Sequence, residues 1–469
     1  MAYWRPIRGI TDPIPIRQFN GVYKPEDEGF NLPDNLFTEL INFCPDEYPA
    51  IKTRPGYSVV GTFGTGPVLG MGAWKDQELH VIFSDGTWRR LNSNGTWTTL
   101  ASGLNTSAEW SFCNFKGNLG GINLIGANGV DPIKRYDGST VQNLSGAPSG
   151  GKYITTQSNR LYCAVGNVLK FSALSKATDW TTANDAGEIE LNTRDGEDIN
   201  GLNAGNGHVT VFKPSTIHEL YGKGPSSYSL DQVADDIGAT GNKAVTVHDE
   251  TLPFISRNGI FQYAGGIRPK REFSDPVNKY IAGMNKSQTS KCVAGSDGKY
   301  IYFAIPYGTA TQNNIILQYD PNHKTWYAWD NIAVTHMIRV GQYFYFGDAT
   351  GRVLRVGGTT DAGNTITATA ITKPFTAASM ARKQQWFKIW VVASIPTGSS
   401  LSIYVSGEPT GENWTLARTL SASSDIQFQK ILVPTNSIAN KNAVRIKIVA
   451  TGPVTIHEIT RQLRELPMG

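Results

Sequence analysis

The sequence predicts an all-β chain: a β-propeller of about 6–7 blades followed by a C-terminal antiparallel β-sandwich. Three observations predict it. The composition is turn-rich and strand-rich, with 49 Gly, 24 Pro and 10% aromatic residues, but only 17% charged residues, in 469 positions. Hairpin-like runs recur roughly every 40 residues, the length of a four-stranded propeller blade. Beyond residue 360 the tight hairpins give way to longer alternating strands.

The same composition excludes other classes. A coiled coil needs more Glu and Lys than 17% charged residues supply. A disordered chain has few aromatics and high net charge, whereas this one has 11 Trp, 19 Tyr and 19 Phe at a net charge of +4. Cys44, Cys113, Cys163 and Cys292 lie at no metal-ligand spacing and are expected as buried free thiols, in keeping with folding in a reducing cytosol. The first ten residues carry Arg5 and Arg8 with no apolar stretch after them, so no secretion signal is expected. The apolar run Ile389 to Ile395 is far shorter than the roughly 20 residues of a membrane span.

Residues 1–65 read as an irregular N-terminal arm and entry strand, broken by Pro6, Pro13, Pro15, Pro25 and Pro33. A short helix is expected over Asn35 to Cys44, with Asp34 as its N-cap. Residues 66–360 read as the propeller. The run from Leu79 to Leu100 is the clearest unit: apolar Val81, Phe83, Trp88, Leu91, Trp97 and Leu100 are punctuated by Asp85-Gly86 and Asn94-Gly95, dipeptides suited to type I′ hairpin turns. The pattern returns at 132–144, 159–174, 208–222, 252–266, 299–330 and 342–357. A small-residue linker near 360 opens the third segment, residues 361–469. Its expected strands are Thr365–Thr372, Trp386–Ser394, Leu401–Ser406, Ile426–Val433, Ala443–Ala450 and Val454–Ile459. From residue 364 onward 11 Lys and Arg face 5 Asp and Glu, leaving 32 against 34 in the first 363 residues; the basic excess is concentrated in the sandwich.

No phosphate-binding loop, HExxH, GxSxG or CxxC pattern is present. The seven His are scattered, and no catalytic, cofactor-binding or metal-binding residue is assigned. Ser84 to Trp88 and Ser93 to Trp97 are similar to shortened Asp-boxes of sialidase-type propellers, but they lack the spacer residues, and that box is a hairpin turn rather than a catalytic element. A glycosidase needs paired carboxylates; Asp235-Asp236 and Glu188 with Glu190 are candidates that surface exposure explains better. The Asp85, Asp137 and Asp297 turns lack the run of acidic positions a calcium loop requires. Arg268, Lys270 and Arg271 fall within four positions, after a strand and before a short helix. The plain reading is a solvated loop; the functional one is a basic loop near DNA or an acidic partner, since phosphate contacts need charge and reach alone. Trp326, Tyr327 and Trp329 read as blade core, with sugar stacking as the alternative.

The ordering of an arm containing LPDNLFTELINF and KTRPGY, a propeller of degenerate hairpins, and a terminal sandwich ending VRIKIVATGPVTIHEI resembles the tail-nozzle or packaged-DNA stabilisation proteins of short-tailed bacteriophages. VLKFSALSKATDWT (168–181), GHVTVFKPSTIHELYG (207–222) and IILQYDPNHKTWYAWD (315–330) are similar to stretches in these proteins. The resemblance covers nearly the whole chain. It implies a non-enzymatic virion protein assembled in the bacterial cytoplasm. Such a protein forms a homo-oligomeric ring, a hexamer in this reading, below the portal and adaptor proteins at the head–tail vertex. Tail fibre or spike proteins are further implied partners, and double-stranded DNA would pass through the lumen without sequence specificity. No cofactor and no membrane anchor are implied. The rival from another class is a carbohydrate-binding or glycan-hydrolysing propeller, such as a receptor-binding tail protein; a third reading is a scaffold propeller that binds peptides.

Overall fold

The computed structural model describes residues 9–26, 29–191, 196–205, 207–377 and 379–466. Arg5 and Arg8 lie outside them.

Seven blades close a ring. Blade 1 is the antiparallel sheet Val68–Trp74, Glu78–Phe83, Thr87–Leu91 and Trp97–Ala101. Blade 2 is Ser111–Phe115, Asn123–Ala127, Lys134–Tyr136 and Val141–Asn143. Blade 3 is Tyr153–Gln157, Arg160–Val165, Val168–Phe171 and Gly187–Glu190. Blade 4 is Gly201–Gly205, His208–Phe212, Ile217–Tyr221 and Ser229–Ala234. Blade 5 keeps only the hairpin Leu252–Ser256 and Gly259–Tyr263 as regular strands; bridges from Val245 and His248 stand inside it and one from Lys270 outside. Blade 6 is Val293–Ser296, Ile301–Ile305, Ile315–Asp320 and Thr325–Asp330. Blade 7 takes Val334–Val340, Tyr343–Asp348 and Arg352–Val356 from one end of the propeller segment, and its outer strand, Tyr57–Thr62, from the other. That strand fastens the ring closed.

The first strands of successive blades crowd the axis, and glycine marks the closest approaches. A Cβ on Gly70 would lie 2.6 Å from Trp110 Cβ, and one on Gly295 would lie 2.5 Å from Met337 Cβ. Apolar side chains then fill each gap between blades: Val81 and Phe83 of blade 1 pack with Tyr345 and Val353 of blade 7, and Leu202, Val209 and Val211 of blade 4 pack with Tyr162 and Leu169 of blade 3. Each such fully buried side chain contributes about 1.5–3 kcal/mol of transfer free energy.

The hairpin turns differ from the expected type I′ in one respect. Gly86 and Gly95 take positive φ, but Asp85 and Asn94 do not. Each uses its side-chain oxygen instead: Asp85 Oδ1 accepts from the Thr87 amide at 3.1 Å, and Asn94 Oδ1 from the Thr96 amide at 3.0 Å, so an Asx turn replaces the second left-handed residue.

The sandwich has two sheets. One runs Phe43–Cys44, Ile51–Thr53, Thr455–Glu465, Gln384–Ile395, Ile426–Val433, with Ile14–Ile16 paired to Thr455–Glu465 and Asn440–Lys441 to Gln384–Ile395. The other is continuous with blade 6: Thr325–Asp330 is followed by Phe37–Ile41, Thr367–Thr372, Ala443–Thr451, Ser400–Ser406 and Thr415–Ser421, ten strands in all with Phe375–Thr376. Ile389, Val391, Ala393 and Ile395 alternate inward from one sheet and meet Leu401, Ile403, Ile446 and Ile448 of the other.

Two expectations are corrected by the structure. The described part of residues 1–65 does not form a separate irregular arm: four of its strands are built into the sandwich and a fifth completes blade 7. The helix expected over Asn35 to Cys44 is instead two strands, Phe37–Ile41 and Phe43–Cys44, hinged at Asn42 with φ 59°. Tertiary pairing overrides the helix-like spacing of Phe37, Leu40 and Phe43, because the segment is inserted between Thr325–Asp330 and Thr367–Thr372. Asp34 caps no helix; it ion-pairs with Arg461 and, at 3.1 Å, with Lys373. The strand Thr415–Ser421, with its mixed and mostly polar pattern, was not expected from the sequence.

Candidate functional site

The basic loop lies between Tyr263 and the outer bridge of blade 5. Gly265 (φ 91°) and Gly266 (φ 68°) turn it onto blade 4. There it meets a buried carboxylate. Glu219, in the strand Ile217–Tyr221, accepts from Tyr221 Oη at 2.5 Å, from Tyr263 Oη, and from the Gly266 amide at 3.1 Å, with His208 Nε2 3.0 Å away. Burial alone would raise its pKa; His208, the two tyrosines and the Gly266 amide outweigh that and bring it down to about 2. The bond to Glu219 in turn pushes Tyr221 up to about 12. An ionised carboxylate with four partners at 1% exposure has no free lone pair to offer a substrate. Its role is to clamp the loop.

Of the three basic residues, Arg268 is answered: Nη2 donates to Asp236 Oδ2 at 2.5 Å, and Asp235 Oδ1 lies 3.8 Å from Nη1. The sequence candidates for a carboxylate pair and for a basic loop therefore meet in one ion-pair cluster. Lys270 is held by its backbone, which exchanges hydrogen bonds with Gln262, and its side chain is exposed. The Arg271 stem lies over Gly259, where a Cβ would come within 2.8 Å of Cδ. The other carboxylate pair is also occupied: Glu188 ion-pairs with Lys170, and Glu190 accepts weakly from Asn167 at 3.4 Å.

A second concavity opens where the inner strands begin, at one mouth of the propeller axis. It encloses about 650 Å³ and is lined by Glu109, Trp110, Lys152, Tyr153, Lys243 and His336, among others. Glu109 Oε1 accepts from Lys243 Nζ at 2.5 Å, tying the entry of blade 2 to the segment leading into blade 5 across the mouth. His336 is buried, and burial reinforced by Lys243 lowers its pKa to about 4, so it is neutral at pH 7. Glu109 answers Lys243 at this mouth, and Lys152 leaves its lining with one positive charge in excess.

Elsewhere the sequence candidates turn out to be structural. Trp326, Tyr327 and Trp329 are at most 1% exposed and belong to the core, out of reach of a sugar. Asp137 accepts from the Thr140 and Ser139 amides, which lower its pKa to about 2, and Asp297 accepts from those of Lys299 and Tyr300. Among the described residues, no group of three or more His, Cys, Asp or Glu side chains is placed to hold a metal. All four cysteines are free thiols; Cys113 is partly buried, whereas Cys44, Cys163 and Cys292 are fully buried. Burial pushes Cys163 and Cys292 up to about 12, far from a reactive thiolate. Glu219 and His208 were missed in the sequence; the signal available was a charged residue inside the otherwise strand-like IHELY.

No family model matches the chain, and no curated protein matches it in sequence. Solved structures match in fold. Virginiamycin B lyase from Staphylococcus aureus is 12% identical, covering 64% of this chain and 97% of its own, with a TM-score of 0.45. The WD40 propeller domain of Doa1 gives 12%, 64%, 97% and 0.43 in the same terms. The extracellular domain of the one component system BT4673 from B. thetaiotaomicron is 11% identical and covers 88% of this chain but 62% of its own, at 0.47. These are likenesses of fold at low identity, and neither enzymatic nor non-enzymatic status follows from them.

Proposed function

We propose that the chain is a non-enzymatic structural subunit of a phage virion. In this reading several copies form a ring at the head–tail vertex, below the portal and adaptor proteins. The ring retains packaged DNA and provides the channel for its ejection. The observation that carries the proposal is the ten-stranded sheet that starts at the inner strand of blade 6 and ends at the far edge of the sandwich. A continuous hydrogen-bonded sheet leaves no hinge between the two domains, which suits a wall element that must keep its shape under pressure. The N-terminal strands woven through both domains support the same reading. The Glu109–Lys243 pair spans the propeller mouth, so DNA would run between subunits rather than through the blades. Lys270 and Arg271 are the members of the basic loop left for sequence-independent phosphate contact; tail fibre or spike proteins would dock on the ring from outside.

The test is quantitative mass spectrometry of gradient-purified particles of the phage that encodes the chain. Six copies per portal ring, or another small fixed ring number, is the expected outcome. Absence from intact particles overturns the proposal and directs attention to glycan arrays and hydrolase assays.

A further inference from the structure

Among the described residues, two sets of open strand edges carry opposite charge. On the far side of the sandwich, Thr415–Ser421 pairs only with Ser400–Ser406, and Ile426–Val433 pairs only with Gln384–Ile395. The two edge strands belong to different sheets and are joined by residues 422–425, so both sheets end together. Leu416, Phe428 and Leu432 are exposed there at 53%, 66% and 54%. Phe428 also holds φ at 47°, a left-handed conformation that costs a bulky side chain energy, at the irregularity where Ile426–Val433 pairs with Gln384–Ile395. The five strands on this side (384–395, 400–406, 415–421, 426–433 and 443–451) bring Lys388, Arg418, Lys430 and Lys447 to the surface and contain no carboxylate. Arg445 is buried against the Thr372 and Pro409 carbonyls, and Asp425 in the link accepts from Thr397.

Long open edges invite pairing with another chain, and their charges decide which. An edge bearing Arg418 and Lys430 disfavours its own copy, because two-fold pairing brings like charges together. It favours an acidic edge. The propeller has one: the outer strands of blades 3 and 4, Gly187–Glu190 and Ser229–Ala234, are each paired on one side only. With the two residues that follow the second strand they present Glu188, Glu190, Asp231, Asp235 and Asp236, answered among the described residues by Lys170 and Arg268. The other outer edges do not compete. Trp97–Ala101 and Val141–Asn143 carry no carboxylate, and the edge of blade 6 is covered by Phe37–Ile41.

We propose that the basic far edge of the sandwich docks onto the acidic outer edge of blades 3 and 4 in a second copy of this chain, with Thr415–Ser421 adding to Ser229–Ala234. The two surfaces are different patches of the subunit, so the contact is head-to-tail and repeats from copy to copy until it closes. Backbone hydrogen bonds supply the adhesion, and the charges supply direction and choice of partner. This inference rests on the ring reading above and names the surfaces through which such a ring would form.

The experiment uses the full chain. Asp231→Cys combined with Arg418→Cys is oxidised and run without reductant, beside each single variant. Asp231 and Arg418 are exposed, so far-UV circular dichroism should show an unchanged fold. The expected result is a reducible ladder from the double variant that ends at a fixed copy number, with no ladder from either single variant. In parallel, native mass spectrometry should show Arg418→Glu with Lys430→Glu weakening association on the order of tenfold, and addition of Glu190→Lys with Asp231→Lys restoring it. Dimers from Arg418→Cys alone would mean two-fold pairing and overturn the contact. Association that ignores the charge reversals, or a chain that stays monomeric throughout, would also overturn it. The particle copy number then decides separately whether the ring reading survives.

Discussion

The propeller and the sandwich are built on opposite principles of chain use. Blades 1 to 4 and blade 6 are each made from one continuous stretch, strand after adjacent strand, and each packs on its neighbours in order. The sandwich is assembled from residues 14–53 and 367–465, and its central strand Thr455–Glu465 pairs with Ile14–Ile16, Ile51–Thr53 and Gln384–Ile395. The ring gains its closure from a single distant strand, Tyr57–Thr62. The sandwich depends mainly on distant pairing, with local pairs only between Phe43–Cys44 and Ile51–Thr53 and between Ser400–Ser406 and Thr415–Ser421 among the described residues. The difference teaches where each domain is vulnerable: the propeller at its fastening, the sandwich anywhere along the N-terminal segment.

The largest effect is expected at Arg54, which serves both domains. Its side chain is almost fully buried; Nη1 and Nη2 donate to the Asp361 carboxylate at 2.9 and 2.7 Å, and Nε donates to Asn42 Oδ1 at 2.8 Å. The guanidinium also sits 5.3 Å from the Trp329 ring centroid. Removing one partner of a buried pair costs about 3–5 kcal/mol. Arg54→Ala should therefore destabilise the protein more than any other single substitution at the junction of the two domains. Calorimetry should show the melting of propeller and sandwich separating, because Asn42 belongs to the sandwich and Asp361 caps blade 7.

Core truncations of equal size should then differ in how far their effect spreads. Leu161→Ala in blade 3 and Ile448→Ala in the sandwich both remove fully buried side chains, each costing about 2–5 kcal/mol. Hydrogen exchange in the first variant should quicken mainly in blades 2 to 4. In the second it should quicken at both chain ends, in Phe37–Ile41 as well as Thr367–Thr372. Equal spread in the two variants would refute the contrast.

The same distinction governs what the sequence could show. Most blades were legible because they are local events: Asp85-Gly86 and Asn94-Gly95 announce turns between strands only a few residues apart. The later sandwich strands were legible by period two, as in Gln384–Ile395. Phe37–Ile41 was not, because its identity as a strand depends on partners about 290 and 330 residues away, while its own spacing of Phe37, Leu40 and Phe43 suits a helix. Blade 5 was legible as a hairpin, but the loss of its regular inner and outer strands was not. At the site level, Arg268 was legible as a basic residue; its neutralisation by Asp236, 32 positions earlier, needed the fold.

Acid should probe the propeller more strongly than the sandwich, although burial also lowers the pKa of His457 in Thr455–Glu465. His80 and His336 lie in blades 1 and 7, and burial lowers their pKa to about 3 and about 4. The unfolded chain takes up these protons near pH 6.5 while the folded chain resists, so the unfolded state binds more protons between pH 6.5 and about 4 and stability falls as the pH falls through that window. Each pH unit of resistance corresponds to about 1.4 kcal/mol per group, an order-of-magnitude figure. Glu219 acts lower: its stabilising clamp is intact above pH 4.5 and is lost as the pH falls from there towards 2. His336→Gln should flatten the dependence between pH 6.5 and 4 and leave the lower limb in place. Chemical denaturation at stepped pH measures both.

The smallest effect is expected at Phe428, a position whose backbone is not shaped for stability. Phe428 sits at an irregularity in the pairing of Gln384–Ile395 with Ile426–Val433, with φ 47° and its ring stacked on His457 at 4.3 Å. Left-handed backbone costs a non-glycine residue about 1–2 kcal/mol. Loss of the stacking and of what little apolar surface it covers costs a similar amount. Phe428→Gly should therefore leave the unfolding free energy within about 1 kcal/mol of the parent, unlike the core truncations. Substantial destabilisation would mean that the ring belongs to the sandwich core. Unchanged stability together with weakened self-association would mean that the strained, exposed aromatic is kept for the contact its edge makes.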